Sequence, residues 1–255
     1  MKYLLLIIAH FLGDFIFQSS TMACKKRTSF KYMALHCIIY SGFIILPLFL
    51  FGPFGNVSIA FLIIIISHMI IDYARNVIID KLNRSQTDHK TFDFMIFILD
   101  QILHILIIIC SMNLVNETNE FGKIILRKLL VYLSLNQIHN GIILAFLYIL
   151  CLSPAATFIK KIFVLFSLQD ENDLKTKDDL VKSGYLIGVL ERIIILTLGI
   201  SGQLASIGFV FAAKSLARFN QLNDKKFAEK YLIGTLLSVA IVLFCITLGN
   251  LILIK

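Results

Sequence analysis

The sequence predicts an all-α protein, a polytopic transmembrane helix bundle of about seven or eight spans. Three observations carry this. Of 255 residues, 58% are apolar and only 16% charged, where a soluble domain carries about 25% charge. Mean hydropathy is +0.86. Several apolar stretches approach or pass about 18 residues, the length that crosses the hydrocarbon core. Together these exclude a soluble globular domain, a disordered chain and a secreted disulfide scaffold. A transmembrane barrel needs alternating polarity, and the run from Ala60 to Ser67 does not alternate.

Taken in order, hydropathy places spans at 2–18, 32–51, 57–79 and 93–112. The start, Met1-Lys2 before an apolar run, imitates a signal peptide, and Ala23-Cys24 imitates a lipoprotein cleavage site. Thr21-Met22 fits such a site poorly, and His10 and Asp14 interrupt the apolar core, so the segment reads as a retained first helix. Phe51 to Asn56 reads as a tight turn by its Gly, Pro and Asn content. The semi-polar stretch 121–138 reads as interfacial, and a fifth span covers 141–159. The polar loop Gln169 to Ser183 separates the short spans 185–200 and 203–217, and a last span at 231–254, from what precedes them. Three regions result: a four-helix membrane module (1–112), an intervening region (113–183) and a C-terminal membrane module (184–255). No fixed-period repeat is present.

The formal charge of +8 sits mostly in short loops. Lys25, Lys26, Arg27 and Lys31 mark one loop, and Arg75, Lys81, Arg84 and Lys90 another, whereas 113–120 holds only Glu117 and Glu120. The positive-inside rule makes the basic loops cytoplasmic and the N-terminus external. Lys160 and Lys161 then end the fifth span inside. Lys123, Arg127 and Lys128 fall on the wrong side, so their stretch is interfacial or the span count there shifts by one. The basic residues serve topology and contact with the lipid bilayer. No long basic face suggests nucleic acid. The five cysteines are scattered without a C-x-x-C and read as small membrane-helix residues.

The ionisable residues inside the spans point to chemistry. His10 and Asp14 lie in the first span, His36 in the second, His68 and Asp72 in the third, Asp100 and His104 in the fourth. A spacing of four puts each His/Asp pair on one helix face. At about 1.5 Å per residue, all seven fall roughly 6–17 Å from one membrane face. A carboxylate at mid-membrane costs about 2.5–3.5 kcal/mol. Three unpaired ones would cost roughly 8–10 kcal/mol, comparable to a domain's stability. Pairing, protonation or a bound cation must offset that cost. Mixed imidazole and carboxylate ligands suit a divalent Zn, Mn or Fe ion. A set of His–Asp hydrogen bonds and a proton or ion pathway are the other readings.

Several motifs resemble a bacterial membrane-protein family catalogued as a domain of unknown function, DUF3307. They are His10-Phe11-Leu12-Gly13-Asp14-Phe15-Ile16-Phe17-Gln18 with Ala23, Lys26, Leu35-His36 and Tyr40; His68-Met69-Ile70-Ile71-Asp72; and Asp100-Gln101-Ile102-Leu103-His104. Gly188-Val189-Leu190-Glu191-Arg192, Ala213 to Phe219 and Ala228 to Thr235 resemble the C-terminal part of long members. The resemblance covers roughly 1–110 and 184–240, and implies a multi-pass protein of the bacterial cytoplasmic membrane without implying an activity. The His/Asp cluster is also similar to that of membrane-bound metal-dependent hydrolases, although the motif order differs.

The leading expectation is a metal-dependent membrane hydrolase, with one of Asp14, Asp72 or Asp100 as general base. Arg192, Lys214 and Arg218 are candidates for an anionic headgroup or phosphate of a phosphorylated or lipidic substrate; pairing of Glu191 with Lys214 and of Arg218 with Glu229 is the plainer reading. Gly184, Gly188, Gly199, Gly202, Gly208 and Gly234 suggest close helix packing. His89 and His139 fall outside the cluster. A proton- or ion-coupled transporter and a non-enzymatic scaffold are the rival functions. No phosphate-binding glycine loop, dinucleotide fingerprint or nucleophile elbow occurs.

Overall fold

The computed structural model describes residues 1–51, 54–84, 90–115, 120–167 and 178–253. Every regular element among them is helical. The chain divides into two compact units, Met1–Ile142 and Ile143–Lys255. The polar loop that the sequence marks as a boundary lies mostly outside the described residues, as do His89, Glu117 and the centre of the 51–56 turn.

In the first unit α1 (Lys2–Phe11) passes into a π-helical turn (Leu12–Ile16), closed by Phe17 N–H donating to the Leu12 carbonyl at 2.9 Å. A short α2 (Ser20–Lys25) follows, capped by the Ser19 hydroxyl. Then come α3 (Phe30–Leu48), α4 (Phe54–Arg84), α5 (Lys90–Met112) and α6 (Glu120–Leu130). Leu6, Ile44, Leu48, Ala60, Ile64 and Met112 fill one half of the bundle with apolar contacts from four helices. Lipid tails are as apolar as leucine, so close van der Waals packing holds this half together. Tyr40 closes it off, and the polar residues occupy the other half.

Gly13 explains how α3 comes so near the π turn. A Cβ there would stand 2.7 Å from Tyr40 Cδ2 and 3.3 Å from its Cα. π turns commonly mark functional positions; this one carries Asp14.

The stretch 121–138 is not one element. The amphipathic α6 ends at Leu130, and α7 (Leu135–Cys151) begins after a turn. No α6 residue is buried. Gly122 sits against the Leu50 carbonyl, and Lys2 donates to the Met112 and Val115 carbonyls. The start of α1, the end of α3, the end of α5 and α6 therefore share one face. Lys123, Arg127 and Lys128 belong to a surface helix on that face, opposite the basic loop at 25–31.

In the second unit, α8 (Ser153–Leu165), α9 (Asp178–Ile200), α10 (Leu204–Ala217) and α11 (Lys225–Ile252) follow the end of α7. The predicted span 141–159 is broken at Leu152, where Pro154 starts α8 in the position that tolerates a missing N–H. Gly199 lies against Ile246 and Gly234 against Phe163, as close packing requires. Gly184 and Gly208 have open space beside them, and Gly202 instead supplies a turn at φ +75°.

Among the described residues, five helical stretches are long and apolar enough to cross a membrane: Phe30–Leu48, Gly55–Leu82, Lys90–Met112, Leu135–Leu165 and Lys225–Ile252. The other three expected spans fall on shorter or more polar elements. The first is α1 with its π turn, the second is α9 with Glu191 and Arg192 inside it, and the third is the 14-residue α10.

Candidate metal centre

Four helices deliver seven ionisable side chains to the polar half of the first unit. The spacing of four works as geometry: His10 lies 3.9 Å from Asp14, His68 3.6 Å from Asp72, and His104 3.9 Å from Asp100. The lone His36 of α3 faces across to α4, its Nε2 3.0 Å from His68 Nε2. Three triads have ligand atoms mutually within 4.8 Å: His10/Asp14/His68, His36/His68/Asp72 and Asp72/Asp100/His104. Sharing of His68 and Asp72 joins all seven into one centre.

At its middle, Asp14 Oδ1 stands 3.3 Å from His36 Nε2 and 3.5 Å from His68 Nε2. Asp72 Oδ2 stands 3.3 Å and 3.6 Å from the same two nitrogens. Two imidazolium ions could not face each other at 3.0 Å, so at least one Nε2 is unprotonated and offers a lone pair.

Other residues hold the ligands in place. The Tyr40 ring stacks on His68 at 3.7 Å and 6°, and its hydroxyl pairs with His10 Nδ1 at 3.1 Å. Gln101 contacts His10 Nε2 at 3.4 Å and donates to Asp100 Oδ2 at 3.0 Å. His104 Nδ1 meets the Asp100 carbonyl at 2.7 Å, which fixes that nitrogen as the donor. Lys26 donates to Asp72 Oδ2 at 2.7 Å, and Arg75 lies 3.5 Å from Asp100 Oδ2. With its amide oxygen turned toward Lys26, Gln18 accepts from Nζ at 2.8 Å and donates to the Asp14 carbonyl at 2.7 Å.

Lys26 corrects the loop-charge reading. It is buried and paired with Asp72 instead of serving as a solvated topology marker. Lys26, Gln18, Tyr40, Arg75 and Gln101 were not site candidates by sequence. Spacing carried a signal for two of them, because Tyr40 is four residues from His36 and Arg75 three from Asp72.

Three carboxylates face two fixed cations, Lys26 and Arg75, which leaves one net negative charge when the imidazoles are neutral. Asp14 Oδ1, Asp100 Oδ1, His36 Nδ1, His68 Nδ1 and His104 Nε2 are buried without a hydrogen-bond partner. Ordered water or a cation could satisfy these atoms.

The C-terminal candidates have other surroundings. Arg192 is buried and donates to the Cys151 carbonyl at 2.6 Å, the Leu152 carbonyl at 3.3 Å and Ser238 Oγ at 3.4 Å. It thereby satisfies carbonyls freed by the break before α8. Lys214 pairs with Glu191 at 2.6 Å and with Thr235 at 3.1 Å, as the pairing reading expects. Arg218 bonds Gln221, three residues on, at 3.1 Å. None of these contacts joins the three cations at a common point.

Fold and centre together define a class: an all-α protein with membrane-length helices and a buried cluster of histidines and aspartates. The family described as a protein of unknown function (DUF3307) matches residues 3–132, just over half of the chain, and the chain belongs to that family. The matched region contains all seven residues of the centre and ends before the C-terminal motifs at 188–235. Comparison with curated proteins and with solved structures gives no match.

Proposed function

We propose that the first unit is a divalent-metal centre of a multi-pass protein of the bacterial cytoplasmic membrane, and that it acts as a hydrolase. One observation carries the metal reading. Five separations among Asp14 Oδ1, Asp72 Oδ2, His36 Nε2 and His68 Nε2 lie between 3.0 and 3.6 Å. An ion bound at about 2.0–2.1 Å by His36, His68 and one of the two carboxylates would have ligand–ligand edges of about 3.3 Å. A divalent cation also answers the net negative charge of the cluster. Zn, Mn or Fe suits this donor set.

Such an ion lowers the pKa of bound water to about 7. In that reading Asp14 or Asp72 is the carboxylate ligand. Asp100, whose Oδ1 has no partner, is the general base. Water's oxygen bonds to the acyl carbon or phosphorus of the substrate as the bond to the leaving group breaks, and Asp100 takes the water proton and returns it to the leaving group. Tyr40 and Gln101 orient the imidazoles.

Metal analysis of the purified full chain in detergent tests this. The expected result is about one Zn, Mn or Fe ion per chain, lost in His36→Ala and in His68→Ala. Metal-free protein with native helix content would overturn it. A second reading, an ion- or proton-coupled carrier, draws on the hydrogen-bonded series from Arg75 through Asp100 and Gln101 to His10. Metal-free protein whose pH-driven uptake stops in Asp100→Asn would favour it.

A further inference from the structure

A cavity of about 360 Å³ lies between the loop after α2, the start of α3 and the cytoplasmic half of α4. Its size falls in the range of small-molecule sites, about 300–1,000 Å³. It shares Lys26 with the metal centre. One end is rich in donors. Arg27, Ser29 and Asn76 line it. Ser29 heads α3 without capping it through its side chain, and the first N–H groups of a helix lack intrahelical acceptors. Farther along α3 and α4 the lining is apolar, with Met33, Met69, Ile70 and Tyr73.

Two features select the ligand. Lys26 is already shared with Asp72, and Asp80 in the lining offsets Arg27. The wall therefore offers hydrogen-bond donors with little net charge, which suits a singly charged phosphodiester over a free phosphate dianion. Along this apolar wall Tyr73 and Ile70 are 64% and 57% exposed on a helix of membrane length. A ligand entering there comes from the bilayer.

We infer that this cavity binds a phosphodiester lipid, its head on Arg27, Ser29 and Asn76 beside Lys26 and its chains along Met69 and Tyr73. As a binding site the cavity stands alone; as the place of a substrate it rests on the hydrolase reading above.

The chain contains no tryptophan, so Tyr73→Trp makes a single fluorescent reporter. Dihexanoyl-phosphatidylglycerol is titrated into the detergent-solubilised full-length reporter, and native mass spectrometry of the unsubstituted chain with the same lipid provides a second readout. A saturable signal is expected, with the midpoint raised about tenfold or more by Asn76→Leu and by Arg27→Gln. Dihexanoylglycerol, which lacks the phosphate, should bind at least about tenfold more weakly. Unshifted midpoints in both variants, or equal binding of dihexanoylglycerol, would overturn the assignment. Inorganic phosphate competing at the lipid's own concentration would make this a free-phosphate site and also overturn it. Metal content measured on the same samples separates the two claims. Bound metal without lipid binding sinks only the cavity, and lipid binding by metal-free protein sinks only the metal centre.

Discussion

Both units of this chain bury charge, and they satisfy it in opposite ways. In the second unit, Arg192 spends its donors on two backbone carbonyls and a serine hydroxyl. In the first, seven ionisable groups converge, yet five of their atoms have no partner. Every buried unsatisfied side-chain atom found among the described residues belongs to the first unit. A closed network secures a fold. An open one, kept at the cost of desolvating three carboxylates, leaves donors and acceptors for a ligand, as the metal proposal requires.

The comparison is broken most forcefully at Asp72. Asp72→Leu strands the buried Lys26 ammonium, and a loss of about 3–5 kcal/mol is expected in denaturant unfolding of the detergent-solubilised protein. The double variant Asp72→Leu/Lys26→Met should recover much of that stability while still failing to bind metal. Recovery of metal with stability would show that the carboxylate is structural only.

Arg192→Met tests the closed network. It leaves the Cys151 and Leu152 carbonyls without their donor, and a loss of about 1–3 kcal/mol is expected. Metal stoichiometry should be unchanged, and a fall in it would dissolve the contrast between the units. Gly13→Ala sharpens the other side. The added methyl meets Tyr40, an overpacking that costs about 1–3 kcal/mol. Displacement of Asp14 should also weaken metal affinity, read by competition with a chelator. Tyr40→Phe should have the smallest effect, about 1 kcal/mol in the same unfolding assay, because only the bond to His10 is lost and the stacking on His68 remains.

Much of the centre was legible in the residues. His10/Asp14, His68/Asp72 and Asp100/His104 announce themselves because a helix repeats its face every three to four positions. Matched depth in neighbouring spans then places His36 with them. Lys26 was hidden because a basic residue in a short loop reads as a topology signal, and nothing in its neighbours shows that the chain folds back over Asp72. The π turn left no pattern beyond Gly13, whose reason is a contact with Tyr40 on another helix. The expected span at 141–159 falls within the membrane-length stretch Leu135–Leu165, but its hydropathy gave no sign that Ser153-Pro154 starts a new helix there.

The brevity of the first helical stretch has its own consequence. Lys2 to Ile16 is 15 residues, about 22 Å at about 1.5 Å per residue, against a hydrocarbon slab of about 30 Å. Were this stretch to span a bilayer, the surrounding lipid would thin, dimpling inward, or flanking side chains would snorkel. The indentation would carry the aqueous boundary down toward Asp14, giving a site deep in the helices a short route for solvent and favouring residence in thinner bilayers.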